Sequence, residues 1–167
     1  VPRTSPRHPV MDFGPRWANI AAVSDGDGEA LVEHRLPPGF EEDLEVTALH
    51  PALLDMATAG ATHLVPGVDP AKDFLIPAGY GRLELHRPLD ASPSSHIRLG
   101  SVDPGAGLVS FDVTVYGAAG DVALEIQDFS MIRVEDDELA HASEDRPGWL
   151  EDAISPEEGE AVMRFLL

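Results

Sequence analysis

Residues 48–60 read ALHPALLDMATAG, and the fold turns on this stretch, because it carries helix signals in the middle of a chain otherwise written in strands. Pro51 suits the first position of a helix, where its missing N–H would have no partner anyway. Leu54, Ala57, Ala61 and Leu64 then fall on one face at helical spacing, with Asp55, Thr58, Ala59 and Thr62 along the adjacent face. Met56–Ala61 is nearly all small side chains, which lets a helix approach a sheet closely. Pro66 and Gly67 stop the run, so the spacing predicts one long helix. Asp55 is out of keeping with these apolar neighbours. It is either a surface charge favoured by the dipole near a helix N-terminus or a group kept for chemistry.

Working outward, the flanks alternate. In GLVSFDVTVYG, Val109, Phe111, Val113 and Val115 share one face, and Ser110, Asp112 and Thr114 the other. GAAGD turns the chain into VALEIQDFSMIRVE, where Val122, Leu124 and Ile126 keep one phase while Phe129 and Met131 take the opposite one. A phase slip near Asp128 predicts a bulge or sharp bend. Further strands are expected at Trp17–Ser24, Glu29–Leu36, Arg82–Leu89 and His96–Val102, with SDGDGE as the hairpin turn between the first two. Two strands before the helix and four after it, mostly antiparallel, predict an α+β hotdog fold, a sheet wrapped around a central helix.

Composition sets the outer limits. A chain of 167 residues is one domain's worth, and 43% hydrophobic content is enough for a core. The absence of cysteine rules out disulfides and thiolate metal sites and fits a cytoplasmic setting. The polar, proline-rich start does not read as a signal peptide, and no apolar run approaches the roughly 20 residues that cross a bilayer, so a soluble domain is expected. A net charge of −19 argues against binding nucleic acid, whose affinity rests on Lys and Arg neutralising phosphates. Residues 1–11 read as an extended leader, residues 12–135 as the hotdog domain, and residues 136–167 as an acidic linker followed by an amphipathic helix. That last helix opens on a capping box, Ser155 with Glu158, and its apolar end MRFLL reads as a cut from something longer or a docking segment.

FGPRW near the start, LHPALLD opening the helix, FLIPAGYGRLELHRPL after it and EIQDFSMIRV in the last strand occur in that order. Together they resemble the second, C-terminal hotdog half of the dehydratase domain of modular type I polyketide synthases, over Asp12 to Glu135. The resemblance implies a double-hotdog partner and syn elimination of water from a 3-hydroxyacyl thioester held on the phosphopantetheine arm of an acyl carrier protein. It implies no further cofactor. The first half of such domains supplies a histidine base in an HxxxGxxxxP motif, and the second supplies an aspartate acid on the helix in a DxxxQ or DxxxH motif.

By that resemblance Asp55, flanked by Leu54, Met56 and Ala57, is the general acid, since an acid protonated near neutral pH needs an apolar site. The sequence departs from the pattern in two places. Ala59 stands where the glutamine or histidine belongs, with Thr58 or Thr62 as substitutes, and the histidine motif of the first half is missing. HLVPG at His63 mimics its start but has Lys72 where the proline falls. His50, within LHPALLD, is the candidate base in this chain, although such a residue more often caps a helix. His86 alternates with Leu83 and Leu85 and is expected on the opposite side of its strand; His8, His34, His63, His96 and His141 carry no signal. Tyr80 matches a stretch that lines the acyl tunnel in the family, and Thr58 and Ala59 are expected beside the substrate with it. No histidine pair has metal-ligand spacing, so no metal site is expected. Expected partners are the carrier protein, other synthase domains and a second copy of the chain. A substrate-holding hotdog without chemistry, and an acyl-thioester isomerase or cyclase, use the same scaffold.

Overall fold

The computed structural model describes residues 13–69 and 73–134. All of them belong to a compact unit spanning residues 1–135. The expected leader and the acidic tail with its capping box lie outside the described residues.

The sheet has seven strands, β1 (Ile20–Asp25), β2 (Glu29–His34), β3 (Phe74–Gly79), β4 (Arg82–Leu85), β5 (Ser94–Asp103), β6 (Leu108–Tyr116) and β7 (Val122–Val134). They run in the order β1-β2-β5-β6-β7-β3, and β4 also pairs with β7; every pairing is antiparallel. Alternation drives it. Val109, Phe111, Val113 and Val115 of β6 are at most 2% exposed, whereas the residues between them face outward.

The expected phase slip is a bulge in β7. The register passes from Phe111↔Phe129 to Val113↔Ile126, so three steps along β7 match two along β6. Leu124, Ile126, Phe129 and Met131 thereby all reach the core, despite the odd spacing between Ile126 and Phe129. The extra residue is absorbed at Asp128, whose φ is 52°, and its N–H donates to the Asp112 carboxylate at 3.2 Å. A β-branched side chain is poorly suited to that left-handed backbone. Asp128→Val is therefore expected to cost about 1–2 kcal/mol in urea denaturation; unchanged stability would show that the bulge relocates freely.

Several expected boundaries are corrected. Trp17 is not in β1 but closes a 3-10 turn, Pro15–Trp17, in which its N–H donates to Gly14 and that of Ala18 to Pro15. The second strand ends at His34, with Arg35 and Leu36 turning to the carbonyls of Asn19 and Ala91. The strand expected over Arg82–Leu89 ends at Leu85, because His86 and Arg87 both donate to the Ala123 carbonyl. The strand expected over His96–Val102 runs longer, from Ser94 to Asp103. A strand the sequence reading left unassigned, β3, carries Pro77 in its interior. It is tolerated because, among the described residues, β3 pairs on one side only, and the register slips between Pro77 and Gly79. β3 and β4 follow one another along the same edge of β7 and separate where Asp128 bulges.

The helix is shorter than its pattern predicts. A single turn, α1 (Asp43–Val46), precedes α2 (Pro51–Ala59), which gives way at Gly60 to a 3-10 turn over Thr62–Leu64. Its deepest face is Ala52, Leu53 and Ala57, each 0% exposed, with Met56 beside them; Leu54 and Leu64 pack at the margin. This face lies against β2, β5 and β6. The approach is close at Gly60, where a Cβ would meet the Met56 carbonyl at 2.7 Å and a Val32 methyl at 3.3 Å. The arrangement is the expected α+β hotdog, with the helix packed on an antiparallel sheet.

Candidate active site

Asp55 sits one turn into α2, half-buried, with its neighbours Leu53 and Met56 in the core. Burial raises its carboxyl above the ordinary value, and one hydrogen bond pulls the other way: the indole Nε1–H of Trp17 donates to Oδ2 at 2.7 Å. Trp17 was not among the expected site residues. Its only sequence signal was membership of FGPRW, 38 positions upstream.

FGPRW is strapped to the helix by its neighbours. Arg16 makes a two-pronged contact with the Asp43 carboxylate, at 2.6 and 3.3 Å, and its guanidinium lies 4.3 Å from the centre of the Phe40 ring. The same carboxylate faces Nε2 of His50 at 3.3 Å. The Arg16 hydrogen bond, with a smaller contribution from His50, lowers the Asp43 carboxyl below its ordinary value. Asn19 Nδ2 donates to the carbonyls of Arg16 and Ala52 at 3.1 and 2.8 Å, tying the strand entry to the first turn of α2.

His50 is the N-cap of α2 and 1% exposed; its Nδ1 accepts from the Leu53 N–H at 3.4 Å. With Nδ1 accepting, the ring proton sits on Nε2 and points at Asp43. Both nitrogens are thus turned inward, which is the capping role rather than that of a base facing substrate. Thr58 does not orient the aspartate: its hydroxyl is turned back to the carbonyls of Leu54 and Asp55 at 3.1 and 3.0 Å. Thr62 opens the 3-10 turn beyond the helix, and Ala59 packs at the edge of the core. Tyr80 is 48% exposed and stacks on buried Phe129, ring centres 5.4 Å apart. His63, the histidine of HLVPG, has its Nε2 2.7 Å from Oδ1 of Asp25.

A buried histidine without a sequence signal completes the support. His34 Nδ1 donates to Asn19 Oδ1 at 3.2 Å, and its Nε2 accepts from the Ser95 hydroxyl at 2.9 Å. Burial lowers its pKa to about 4 from 6.5. The folded state therefore favours neutral His34. That stability is full above pH 6.5 and is lost as pH falls towards 4, about 3 kcal/mol in all. His34→Gln is expected to remove this component of the pH dependence, read from urea denaturation between pH 7 and 4; a slope equal to that of the parent would overturn it.

The comparisons with known proteins agree on one family. Residues 7–141 match the family described as "Polyketide synthase dehydratase N-terminal domain". The chain belongs to this family. A curated relative, polyketide synthase PksN of Bacillus subtilis (strain 168), is 26% identical over 126 residues, which is 71% of this chain and 2% of the relative. Among solved structures, an N-terminal dehydratase from the difficidin assembly line is 25% identical with a TM-score of 0.64, covering 78% of this chain and 45% of that one. The dehydratase domain of RzxB from Pseudomonas fluorescens is 24% identical with a TM-score of 0.65, covering 76% and 46%. The chain thus spans less than half of these dehydratase structures. The family description names an N-terminal domain, whereas the motifs quoted above resemble the C-terminal half; family membership does not depend on which half is meant.

Two other features of this dehydratase-family chain stand apart from Asp55. Glu84, His86 and Glu125 bring their ligand atoms within 4.8 Å of one another, but all three are exposed, and His86 is paired with Glu125 at 2.8 Å. The cluster reads as a surface histidine–carboxylate hydrogen bond with a second carboxylate beside it. A shallow cavity of about 250 Å³ lies over the β7 bulge, lined by Arg98, Asp112, Thr114, Gln127 and Asp128. Its lining is polar and mixed in charge, unlike an acyl-chain site. Among the described residues no helix is long and apolar enough to cross a membrane.

Proposed function

We propose that this chain is the acid-bearing hotdog of a polyketide synthase dehydratase. It acts on a 3-hydroxyacyl thioester carried on the phosphopantetheine arm of an acyl carrier protein, in the cytoplasm and beside other domains of a synthase. The observation that carries the reading is Asp55: a half-buried helix carboxyl whose pKa is raised by burial, with one oxygen held by an indole N–H. Such a group keeps its proton closer to neutrality than a surface aspartate does. In the reaction a base removes the α-proton, the C–H electron pair forms the double bond, and the C3–O bond breaks. Asp55 gives its proton to the departing hydroxyl, which leaves as water.

The base comes from a second hotdog. His50 and His34 are buried with both ring nitrogens engaged, and the chain spans less than half of the dehydratases it resembles. Acid–base chemistry of this kind needs no resident cofactor. Among the described residues β1 is an edge of the sheet, and an open edge favours pairing of two chains when no second half is present.

The test is turnover of a 3-hydroxyacyl pantetheine thioester followed by mass spectrometry, with the chain alone and with a hotdog half carrying the HxxxGxxxxP histidine. Loss of water with the added half supports the reading. No turnover in either mixture, with the two halves shown to associate, sinks it and leaves a hotdog that only holds its substrate.

A further inference from the structure

The site contains one arrangement that the dehydratase pattern does not supply. We propose that Trp17 is the positioning residue for Asp55, replacing from the FGPRW turn the polar side chain missing at Ala59, and that it fixes the transferable proton on Oδ1. The inference rests on the dehydratase reading for its role in turnover, but not for the geometry of the pair.

Three observations converge. Ala59 offers no hydrogen-bonding group one turn after Asp55, and the Thr58 hydroxyl is spent on helix carbonyls. Trp17 Nε1 lies 2.7 Å from Oδ2, and among the described residues that is the hydrogen bond made to this carboxyl group. Trp17 is also held in place: Arg16 grips Asp43 on one side, Asn19 grips the Ala52 carbonyl on the other, and the Phe13 ring lies 6.5 Å from the indole. The donor is therefore presented by a turn anchored on both flanks, not by a side chain free to swing.

The substitution has a chemical consequence. A glutamine amide offers both a donor and an acceptor, so it can serve a carboxyl group in either orientation. An indole is a donor only. A protonated Oδ2 would be the weaker acceptor for the indole N–H, so the bond favours the protonated acid that carries its hydrogen on Oδ1 and keeps Oδ2 as the carbonyl oxygen. The geometry selects one of the two oxygens as the one that gives its proton to the leaving hydroxyl. The same bond favours the carboxylate and so opposes the rise caused by burial.

The pair can be read directly by NMR on the full chain. The Asp55 carboxyl carbon and the Trp17 indole Nε1–H should titrate with one midpoint. Trp17→Phe keeps the ring and removes the donor, and is expected to raise that midpoint by about one pH unit. Adding Ala59→Gln to Trp17→Phe should bring it back down. An indole resonance in the unmutated chain that ignores the Asp55 titration would overturn the pairing, whether or not the variant folds. So would an unshifted Asp55 midpoint in folded Trp17→Phe. In turnover assays with the complementary hotdog, Trp17→Phe should lower kcat roughly tenfold with little change in KM, and move the alkaline limb of the pH profile upward. A parent-like kcat and pH profile would overturn the positioning role. The titration stands apart from turnover, so an inactive mixture with a coupled midpoint would count against the dehydratase reading and not against the Trp17–Asp55 pair.

Discussion

Asp55→Asn is expected to lower dehydration by about 10²–10⁴-fold, the range for removing a general acid. Asparagine has the same shape and can still accept from the Trp17 indole, so the geometry around 2.7 Å is preserved while the proton is lost. Stability should move little, or rise slightly at neutral pH, because burial disfavours the charged form of Asp55. That separation makes the variant diagnostic: an inactive but well-folded protein points to chemistry, not packing. The pH profile of the parent gives a second reading. The acid must be protonated, so the rate falls as pH rises through the Asp55 pKa, which lies above the ordinary aspartate value. Mass-spectrometric turnover with the complementary hotdog checks both points, and activity within a few-fold of the parent in Asp55→Asn would remove Asp55 from the mechanism.

The largest effect on stability is expected from Phe129→Ala, about 3–5 kcal/mol. Phe129 is 0% exposed, lies directly opposite Phe111 in the register, and carries the Tyr80 ring on its other side. Its removal leaves a void between two strands whose register is already fixed by the bulge at Asp128, which limits how far they can collapse. The melting temperature should fall by more than about 10 °C in calorimetry. A loss below about 1 kcal/mol would mean that Tyr80 swings inward and fills the space.

The outer architecture was readable because it depends on periodicity. Alternation marks β6, and the change of phase between Ile126 and Phe129 marks the bulge. Strand ends were less readable. His86 and Arg87 look like strand by pattern, but both amides go to a single carbonyl, Ala123, and the ladder stops. β3 escaped notice because Pro77 argues against a strand unless that strand is known to lie on an edge.

At the site, Asp55 and the role of His50 as a cap were within reach of local sequence. Trp17 and His34 were not. Their partners are 38 residues away for Trp17, and 15 and 61 away for His34. A bond between distant segments leaves no spacing to count. Ala59 nevertheless marks the gap: it leaves no side-chain donor one turn after a half-buried carboxyl, and Trp17 donates to that carboxyl from elsewhere in the fold.

The order of strands also bears on how the molecule is made. α2 rests on β2, which precedes it in the chain, and on β5 and β6, which follow it. On a ribosome adding about 5–20 residues per second, roughly 55 more residues must be synthesised between the end of α2 and the end of β6, a wait of about 3–11 s. Through that interval the face of α2 that carries Leu53 and Met56 lacks β5 and β6, and a nine-residue helix is too short to persist alone. The surroundings of Asp55 are therefore completed only after β5 and β6 have followed α2 off the ribosome and the meander of β5, β6 and β7 closes over the other side of the helix.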